Sequence, residues 1–530
     1  MKKIYLILCA VIFSAVAMAQ TEYDALRMSQ TDLHGTARYV SMGGAFGALG
    51  GDASALRDNP AGLAVYRSGE ITTTLSGSKS ISNALWYDDE RISESKLGVQ
   101  FNNFAYVVAG ARNNDYSPLK FSNISFSYTR LKSFNRSMSA TGISNASFTD
   151  FLGGFTWGFD EDALRTTKDY DPFFNKNMPW LSALAYEGFL IDLIPGETTQ
   201  WESAYIGKAL SESTLYESGG VNEYAFGWGG NFNNNLFVGV NLSILDLDYS
   251  LRGLLSEKFS TDQGSFQLRN YLSQSGIGVN MKFGAIYMPT NSLRLGAAFH
   301  TPTVYTMSEL SEATLSSRNK NFDDAALNFE ARTNLKTPDG GATQSFHLQT
   351  PLQVQLSAAY LFGKKGLISA EYNFVNYTGM RFSDEDGQMD SFRLENLGEI
   401  VNGKQVGGMS DVLRNGHVLK VGGEFKPLPT FALRAGYALH TGATNPKYEE
   451  GKMIRLETRN TNTEYFEQEA AHYFTAGLGV REAGWFLDFA YSLRTQKENF
   501  YPYQFNREDL KPAEINTNNH NLVVTLGLKL

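Results

Sequence analysis

Over most of the chain, apolar and polar or small side chains alternate with a period of two, in segments of about ten residues that end at Gly, Asn or Pro. At the carboxyl end Leu522, Val524, Leu526, Leu528 and Leu530 fall on one side, and Val523, Thr525, Gly527 and Lys529 on the other. Trp485, Leu487, Phe489, Tyr491 and Leu493 alternate in the same way with Phe486, Asp488, Ala490, Ser492 and Arg494. Phe431, Leu433, Ala435, Tyr437 and Leu439 alternate with Ala432, Arg434, Gly436, Ala438 and His440. Such a pattern predicts strands with two unlike faces. Alternation alone does not say whether the apolar face meets a core or a bilayer.

Connection lengths separate the two. Strands are predicted at 69 to 80, 99 to 110, 120 to 132, 222 to 231, 235 to 252, 272 to 288 and 292 to 308. Seven more fall at 345 to 361, 366 to 378, 416 to 426, 430 to 441, 471 to 481, 484 to 494 and 520 to 530. Short links (Asn233-Asn234, Pro289 to Asn291, Gly363 to Lys365, Pro427 to Pro429, Glu482-Ala483) alternate with long ones (133 to 221, 309 to 344, 379 to 415, 442 to 470, 495 to 519). Short inner turns, long outer loops and an even strand count describe an all-β, 14-stranded antiparallel transmembrane β-barrel. Residues 326 to 336, where Leu327, Phe329 and Ala331 alternate, are assigned to a hairpin arm inside a loop. In the strand from Leu236 the apolar parity changes after Ile244. Nine residues make about one tilted crossing, so the strand is expected to leave the bilayer there without a bulge.

Three other features narrow the class. Lys2 and Lys3 precede an apolar run from Ile4 to Val16 that ends at Ala17-Met18-Ala19, which predicts a signal peptide over 1–19. No later stretch is long and apolar enough for a transmembrane helix. The sole cysteine, Cys9, lies within that run, so a disulfide framework or thiolate metal centre is excluded from the mature chain. Acidic residues (55) outnumber basic ones (46), and the resulting net charge of −9 disfavours a nucleic-acid partner.

Between the signal and the first strand lies a Gly- and Ala-rich segment without alternation. It reads Gly35-Thr36-Ala37-Arg38, then Ser41-Met42-Gly43-Gly44-Ala45-Phe46 through Asp52, then Asn59-Pro60-Ala61-Gly62. Small residues allow backbones to approach closely, which suits a fold confined in a barrel lumen. Pro60 holds Asn59 extended. The glycines lack the strand, spacing and Lys-Ser/Thr of a nucleotide loop.

On these residues, and on the hairpin around Asn291 to Phe299, the chain resembles the FadL/TodX-type outer-membrane transporters of long-chain fatty acids and aromatic hydrocarbons. The resemblance implies a small N-terminal hatch (plug) over 20–66 inside a barrel formed by 67–530, with Gly43, Gly44, Asn59, Pro60, Ala61 and Gly62 as hatch and gating residues. It implies passive transport: outer loops capture a hydrophobic molecule, a lumen pocket receives it, and hatch movement releases it, laterally at a kinked third strand. The third strand here, Lys120 to Lys132, has no Gly or Pro at its centre (Ser125, Phe126, Ser127, Tyr128) and departs from that pattern.

Candidate ligand contacts follow from position. Trp180 to Ile194 reads as an apolar short helix in the longest outer loop, which either packs on itself or offers apolar ligands a landing site, with Trp180, Leu184, Phe189 and Leu193 as its candidate residues. By parity Arg294, His300, Glu371, Lys420, Glu424, Arg434, His440, Asp488, Arg494 and Lys529 face the lumen, mostly pairing with each other. Of these, Arg294, Lys420 and Arg434 are candidates to meet a ligand carboxylate.

No histidine pair has zinc-helix spacing, and no GxSxG elbow is present, so neither catalytic residues, a metal nor a cofactor is expected. Asp384, Asp386 and Glu395 match a calcium loop except that Met389 stands where Gly belongs, which reads as a solvated acidic loop. The expected setting is the outer membrane of a Gram-negative-type bacterium. Expected partners are a hydrophobic ligand, outer-membrane lipid and the barrel-assembly machinery, with the chain itself a monomer. A structural or adhesive surface barrel is the alternative, and an outer-membrane lipid hydrolase a weaker one. An energised transporter, at ~22 strands, needs more chain.

Overall fold

The computed structural model describes residues 21–87, 91–112, 116–175, 178–260, 263–319, 327–332, 342–383, 399–401, 404–406, 412–445, 459, 461–505 and 509–530. The signal segment and the acidic loop with Asp384, Asp386 and Glu395 lie outside them.

Period-two segments form the wall. Its strands are β1 (Glu70–Leu85), β2 (Ile92–Ala111), β3 (Leu119–Ser133), β4 (Ala209–Phe232), β5 (Leu236–Phe259), β6 (Gly264–Tyr287) and β7 (Leu293–His300). There follow β8 (Gln353–Leu361), β9 (Gly366–Val375), β10 (Gly416–Leu428), β11 (Phe431–His440), β12 (Tyr465–Arg481), β13 (Trp485–Tyr501) and β14 (Ala513–Lys529). Each pairs antiparallel with the next. Pairing of β14 with β1, from Glu70↔Lys529 to Leu85↔Glu514, closes the sheet into a barrel of fourteen strands. Closure leaves neither terminal strand with a free edge, the condition for crossing lipid with strands.

The large apolar side chains point outward. Leu522, Val524, Leu526 and Leu528 are exposed, whereas Val523 and Thr525 between them are buried. No described helix is long and apolar enough to cross a membrane. A closed barrel with its apolar side chains outward is the architecture of a chain that crosses a bilayer with strands. The short links gather at one end; in the β4/β5 turn Asn233 and Asn234 take φ of 50° and 60°, the left-handed pair of a two-residue hairpin.

At the other end the wall outgrows the bilayer. β5 keeps one continuous register with both neighbours over its 24 residues. Beyond Ile244 its outward positions become Asp246, Asp248 and Ser250, while Leu245, Leu247, Tyr249 and Leu251 turn into the interior. The parity switch is thus an exit from lipid, with no bulge. Val304–Asn319 continues β7 and pairs with Ala342–Gln349, which continues into β8. Among the described residues Leu327–Arg332 pairs only with Val304–Asn319, as an arm outside the fourteen.

The longest outer connection carries its own structure: α4 (Phe148–Thr156), α5 (Glu161–Leu164), α6 (Trp180–Glu187) and a small hairpin of Ile191–Leu193 with Trp201–Ser203. Its helix is shorter than the apolar run suggests. Gly188 ends it, and Ile191 to Leu193 become strand because they pair across the hairpin. Arg136–Ser144 and the first residues of β4 belong to the raised wall instead of the loop.

Inside the barrel, the Gly/Ala-rich segment folds as α1 (Glu22–Ser29), α2 (Ala37–Ser41), α3 (Ala55–Asp58) and a 3-10 turn (Pro60–Val65). Thr21 and Asp24 cap α1 reciprocally. Gly43 and Gly44 take φ of 63° and 74°, turning the chain after α2. A Cβ on Gly239 would strike Pro60, and one on Gly436 would strike Met42, so wall glycines make room where this segment touches.

Candidate functional site

Where the N-terminal segment meets the wall, inward polar side chains grip its backbone. Asn59 is nearly fully buried; its amide donates to the carbonyls of Gly47 (2.7 Å) and Ala285 (3.2 Å), and its oxygen accepts from Ala61 N–H (3.0 Å). From the wall, Asn241 donates to the Leu56 carbonyl (2.7 Å), and Asn123 to those of Leu63 (2.8 Å) and Tyr66 (3.0 Å). Thr525 accepts from Ala37 N–H (2.7 Å), and Thr475 donates to the Ser41 carbonyl (3.0 Å). A short helix leaves most of its terminal groups unpaired, and these side chains supply the partners.

The lumen charges are largely spent on the same interface. Lys420 Nζ lies 2.9 Å from Asp58 and 2.7 Å from Glu371, whose other oxygen accepts from Gly47 N–H at 2.9 Å. Arg434 binds Glu424 (2.7 Å) and Asp488 (2.6 Å), and Arg38 reaches the same Glu424 (3.2 Å). Arg294 donates to the Leu49 carbonyl (2.6 Å), and His300 Nε2 lies 2.7 Å from the Asp58 carbonyl. Lys529 is exposed at the rim. Arg294, Lys420 and Arg434 thus stand with the turn at Asn59, each on a protein partner. Asp58, Asn123, Asn241 and the Glu223/Lys282 ion pair belong to this set too. Their inward parity on otherwise apolar strands was the available signal, but parity does not identify a partner.

Two cavities flank α1. One of ≈ 130 Å³ lies between α1, α2 and the inner face of β3 to β13, with Tyr39, Tyr305, Tyr377 and Tyr473 among its lining beside Asp58, Glu223, Lys282 and Lys420. Another of ≈ 100 Å³ lies on the opposite side, against Lys132, Phe134, Arg136 and Phe466. Gln30, Asp32 and Arg494 border both.

Beside the second cavity the wall parts. β2 and β3 pair from Asn103↔Thr129 to Ala111↔Phe121 and no further. Above that, β3 pairs with β4 on one side and on the other meets the N-terminal segment, its Leu131 carbonyl accepting from Asp32 N–H (2.8 Å); after Phe134-Asn135 the chain continues as Arg136–Ser144 along β4. Side chains bridge the interval: Gln100 donates to Ser133 (2.8 Å) and Asn135 to the Leu97 carbonyl (3.2 Å). The third strand is regular at its centre, as its composition requires, and breaks one turn beyond it without Gly or Pro.

Beside the first cavity, register continues from His300↔Gln353 to Val304↔Gln349, which sets Pro302 opposite Pro351. Neither Pro302 nor Pro351 has an amide donor, and the strands are joined beside them by Thr350 N–H on the Thr303 carbonyl (2.9 Å) and Thr303 N–H on Thr350 Oγ1 (2.9 Å).

The outer-loop candidates lie elsewhere. Trp180 and Leu184 are buried in an apolar cluster shared with Phe266, Leu268 and Leu315 of the raised wall, and the Trp180 indole donates to the Phe173 carbonyl (3.0 Å). Leu193 is half-buried; Phe189 is partly exposed at φ 53°. This cluster roofs the barrel and is separate from Asn59 and the lumen charges. α4 is pinned to it by Glu257, thirteen residues past Ile244 on β5 and above the bilayer. Glu257 accepts from Phe148 N–H (3.0 Å) and from the hydroxyls of Ser147 and Ser211. Burial pushes its carboxyl up to about 7, against the downward pull of these hydrogen bonds.

No protein-family model matches the chain, and no curated protein does. Among solved structures it is similar to a Pseudomonas aeruginosa FadL homologue, at 13% identity and TM-score 0.52 over 94% of this chain and 99% of that one. It is also similar to a deltaS2 mutant of the TodX monoaromatic hydrocarbon channel, at 13% identity and TM-score 0.51 over 94% and 100%. At such identity the likeness is one of fold, and the chain carries the barrel architecture of the FadL-type transporters.

Proposed function

We propose that this protein is a passive outer-membrane transporter for hydrophobic small molecules, with residues 20–66 acting as its hatch. The observation that carries the reading is the placement of α1 between two cavities, each beside an interruption of the wall. Held to the wall by side-chain contacts and by the Asp32 N–H on the Leu131 carbonyl, the N-terminal segment can shift without breaking a β-ladder. Apolar solutes would be captured at the roof near Trp180, Leu184, Phe189 and Leu193, pass to the ≈ 130 Å³ cavity, and leave through the β2/β3 gap when α1 moves.

The size of that cavity favours ring-sized solutes over long acyl chains. About 150 Å³ is enough to hold benzene, and the resting cavity, at ≈ 130 Å³, is comparable. The tyrosines around it offer ring faces. The fold relative described as a monoaromatic hydrocarbon channel agrees with this choice.

Uptake of radiolabelled toluene and palmitate into cells expressing the protein, against cells with an unrelated barrel, tests the reading. Faster toluene entry is expected, lost in Asn59→Ala while heat-modifiable gel mobility stays normal. Equal entry in both strains would overturn it.

A further inference from the structure

Three tyrosine/histidine pairs repeat on the outward face of the wall. The hydroxyl of Tyr372 (β9) lies 2.8 Å from Nδ1 of His417 (β10), that of Tyr437 (β11) 2.8 Å from Nδ1 of His472 (β12), and that of Tyr491 (β13) 2.7 Å from Nδ1 of His520 (β14). Each tyrosine stands directly opposite an apolar residue, Leu419, Phe474 or Leu522, and each histidine sits two residues beyond it toward the outer end. One diagonal geometry thus recurs on three successive hairpins.

The pairs also share a height. His417 faces Thr441, four residues above Tyr437, and His472 faces Thr495, four above Tyr491. Two up and four down is a net slip of one residue per strand. A wall tilted by ~35–45°, with strands ~4.8 Å apart and ~3.3 Å per residue, requires roughly one residue of slip per strand to stay level. All six side chains therefore lie on one arc around six consecutive strands.

That arc is the outer border of the apolar band. Below His520 the outward positions are Leu522, Val524, Leu526 and Leu528; above it comes Asn518. A side chain facing outward here meets lipid headgroups. With the tyrosine hydroxyl donating to Nδ1, the histidine keeps its hydrogen on Nε2, free to donate away from the pair. At His520 the surroundings are cationic as well. Lys79 faces it across β1/β14, and Lys497 stands on β13 opposite Asn516, four residues farther toward the outer end; both are exposed, and neither forms an ion pair among the described residues.

We propose that the arc binds the phosphate groups of outer-leaflet lipids, with Tyr491, His520, Lys79 and Lys497 forming its strongest site. Hydrogen-bond donors and fixed cations at headgroup depth match an anionic, acceptor-rich group. Successive pairs are two strands, roughly 12 Å, apart, so a headgroup with two phosphates can bridge neighbours. This site acts at the lipid-facing surface and is independent of the transport reading.

Native mass spectrometry of the detergent-solubilised full chain, titrated with phosphatidylglycerol, diphosphoryl lipid A or phosphate-free digalactosyldiacylglycerol, tests it. The variant His417→Phe/His472→Phe/His520→Phe keeps an aromatic border, and Lys79→Gln/Lys497→Gln keeps the histidines. Both phosphate lipids should bind the wild type, with apparent affinity at least tenfold lower in the triple variant and severalfold lower in the lysine variant. The galactolipid should bind all three alike. Unchanged phosphate-lipid binding in the triple variant, or equal losses for the galactolipid, would overturn the proposal. Heat-modifiable mobility confirms that each variant is a folded barrel.

Discussion

Lys420 on β10 and Asp58 at the end of α3 form an ion pair of 2.9 Å across the boundary between wall and N-terminal segment, and the same ammonium holds Glu371 at 2.7 Å. All three side chains are buried. One cation therefore ties two acids from different parts of the molecule, and removing it leaves both stranded.

Lys420→Met should loosen the N-terminal segment by about 3–5 kcal/mol, the usual cost of an uncompensated buried charge. Limited proteolysis of residues 21–66 in the folded barrel measures this. The triple change Lys420→Met/Asp58→Asn/Glu371→Gln should recover much of the protection. Equal resistance of wild type and Lys420→Met would contradict the role given to the pair.

Gly284 on β6 offers a way to move the segment without altering its sequence. A Cβ there would meet the Asn59 side chain and Pro60, whereas one on outward-facing Gly77 has nothing within 4 Å. Gly284→Val should raise single-channel conductance in planar bilayers severalfold; Gly77→Val should leave it at the wild-type level. Deleting residues 20–62 should produce the largest pore of the series.

The roof has a pH dependence whose sign is fixed by Glu257. Its folded value, about 7, stands above the ordinary 4.5. The contribution is therefore fully present below about 4.5 and is lost as pH rises through about 7, on the order of 3 kcal/mol in all. Hydrogen exchange across α4 should accelerate between pH 5 and 8 by more than intrinsic chemistry, and Glu257→Gln should flatten the excess. A wild-type profile in that variant would assign the effect elsewhere.

Pro302 and Pro351 face each other without an amide donor, beside the pair joined by Thr350 N–H on the Thr303 carbonyl. Replacing both by Ala restores two donors, each worth about 1 kcal/mol net. Amide exchange at Thr303 and Thr350, which already bond across this point, should slow in the double variant as the strands are held more tightly, and change little in either single one. No slowing would mean that the strands are held apart by something other than the missing amides.

Much of the wall was legible because the bilayer asks only for outward apolar residues at every second position. Leu522 to Leu530 meet that demand with no knowledge of their neighbours, and the alternation of short and long links supplied the strand count. The polar interior was less legible. Parity put Lys420, Glu371, Arg434 and Asp488 inside, but the partner of Lys420 depends on the register of β9 against β10 and on where α3 ends. The break after β3 escaped because it lies at Phe134-Asn135, in side chains that mark no turn. It arises where the chain changes neighbours, a property of three strands together. The paired prolines are 49 positions apart and become one feature only through register.

The uninterrupted β5 has one more consequence. Its fifteen residues past Ile244 lift the rim roughly 35–40 Å above the membrane surface, at ~3.3 Å per residue and a tilt of ~40°. The molecule is a chimney as much as a pore. On the transport reading proposed above, a solute taken up at that end would enter well clear of the bilayer surface.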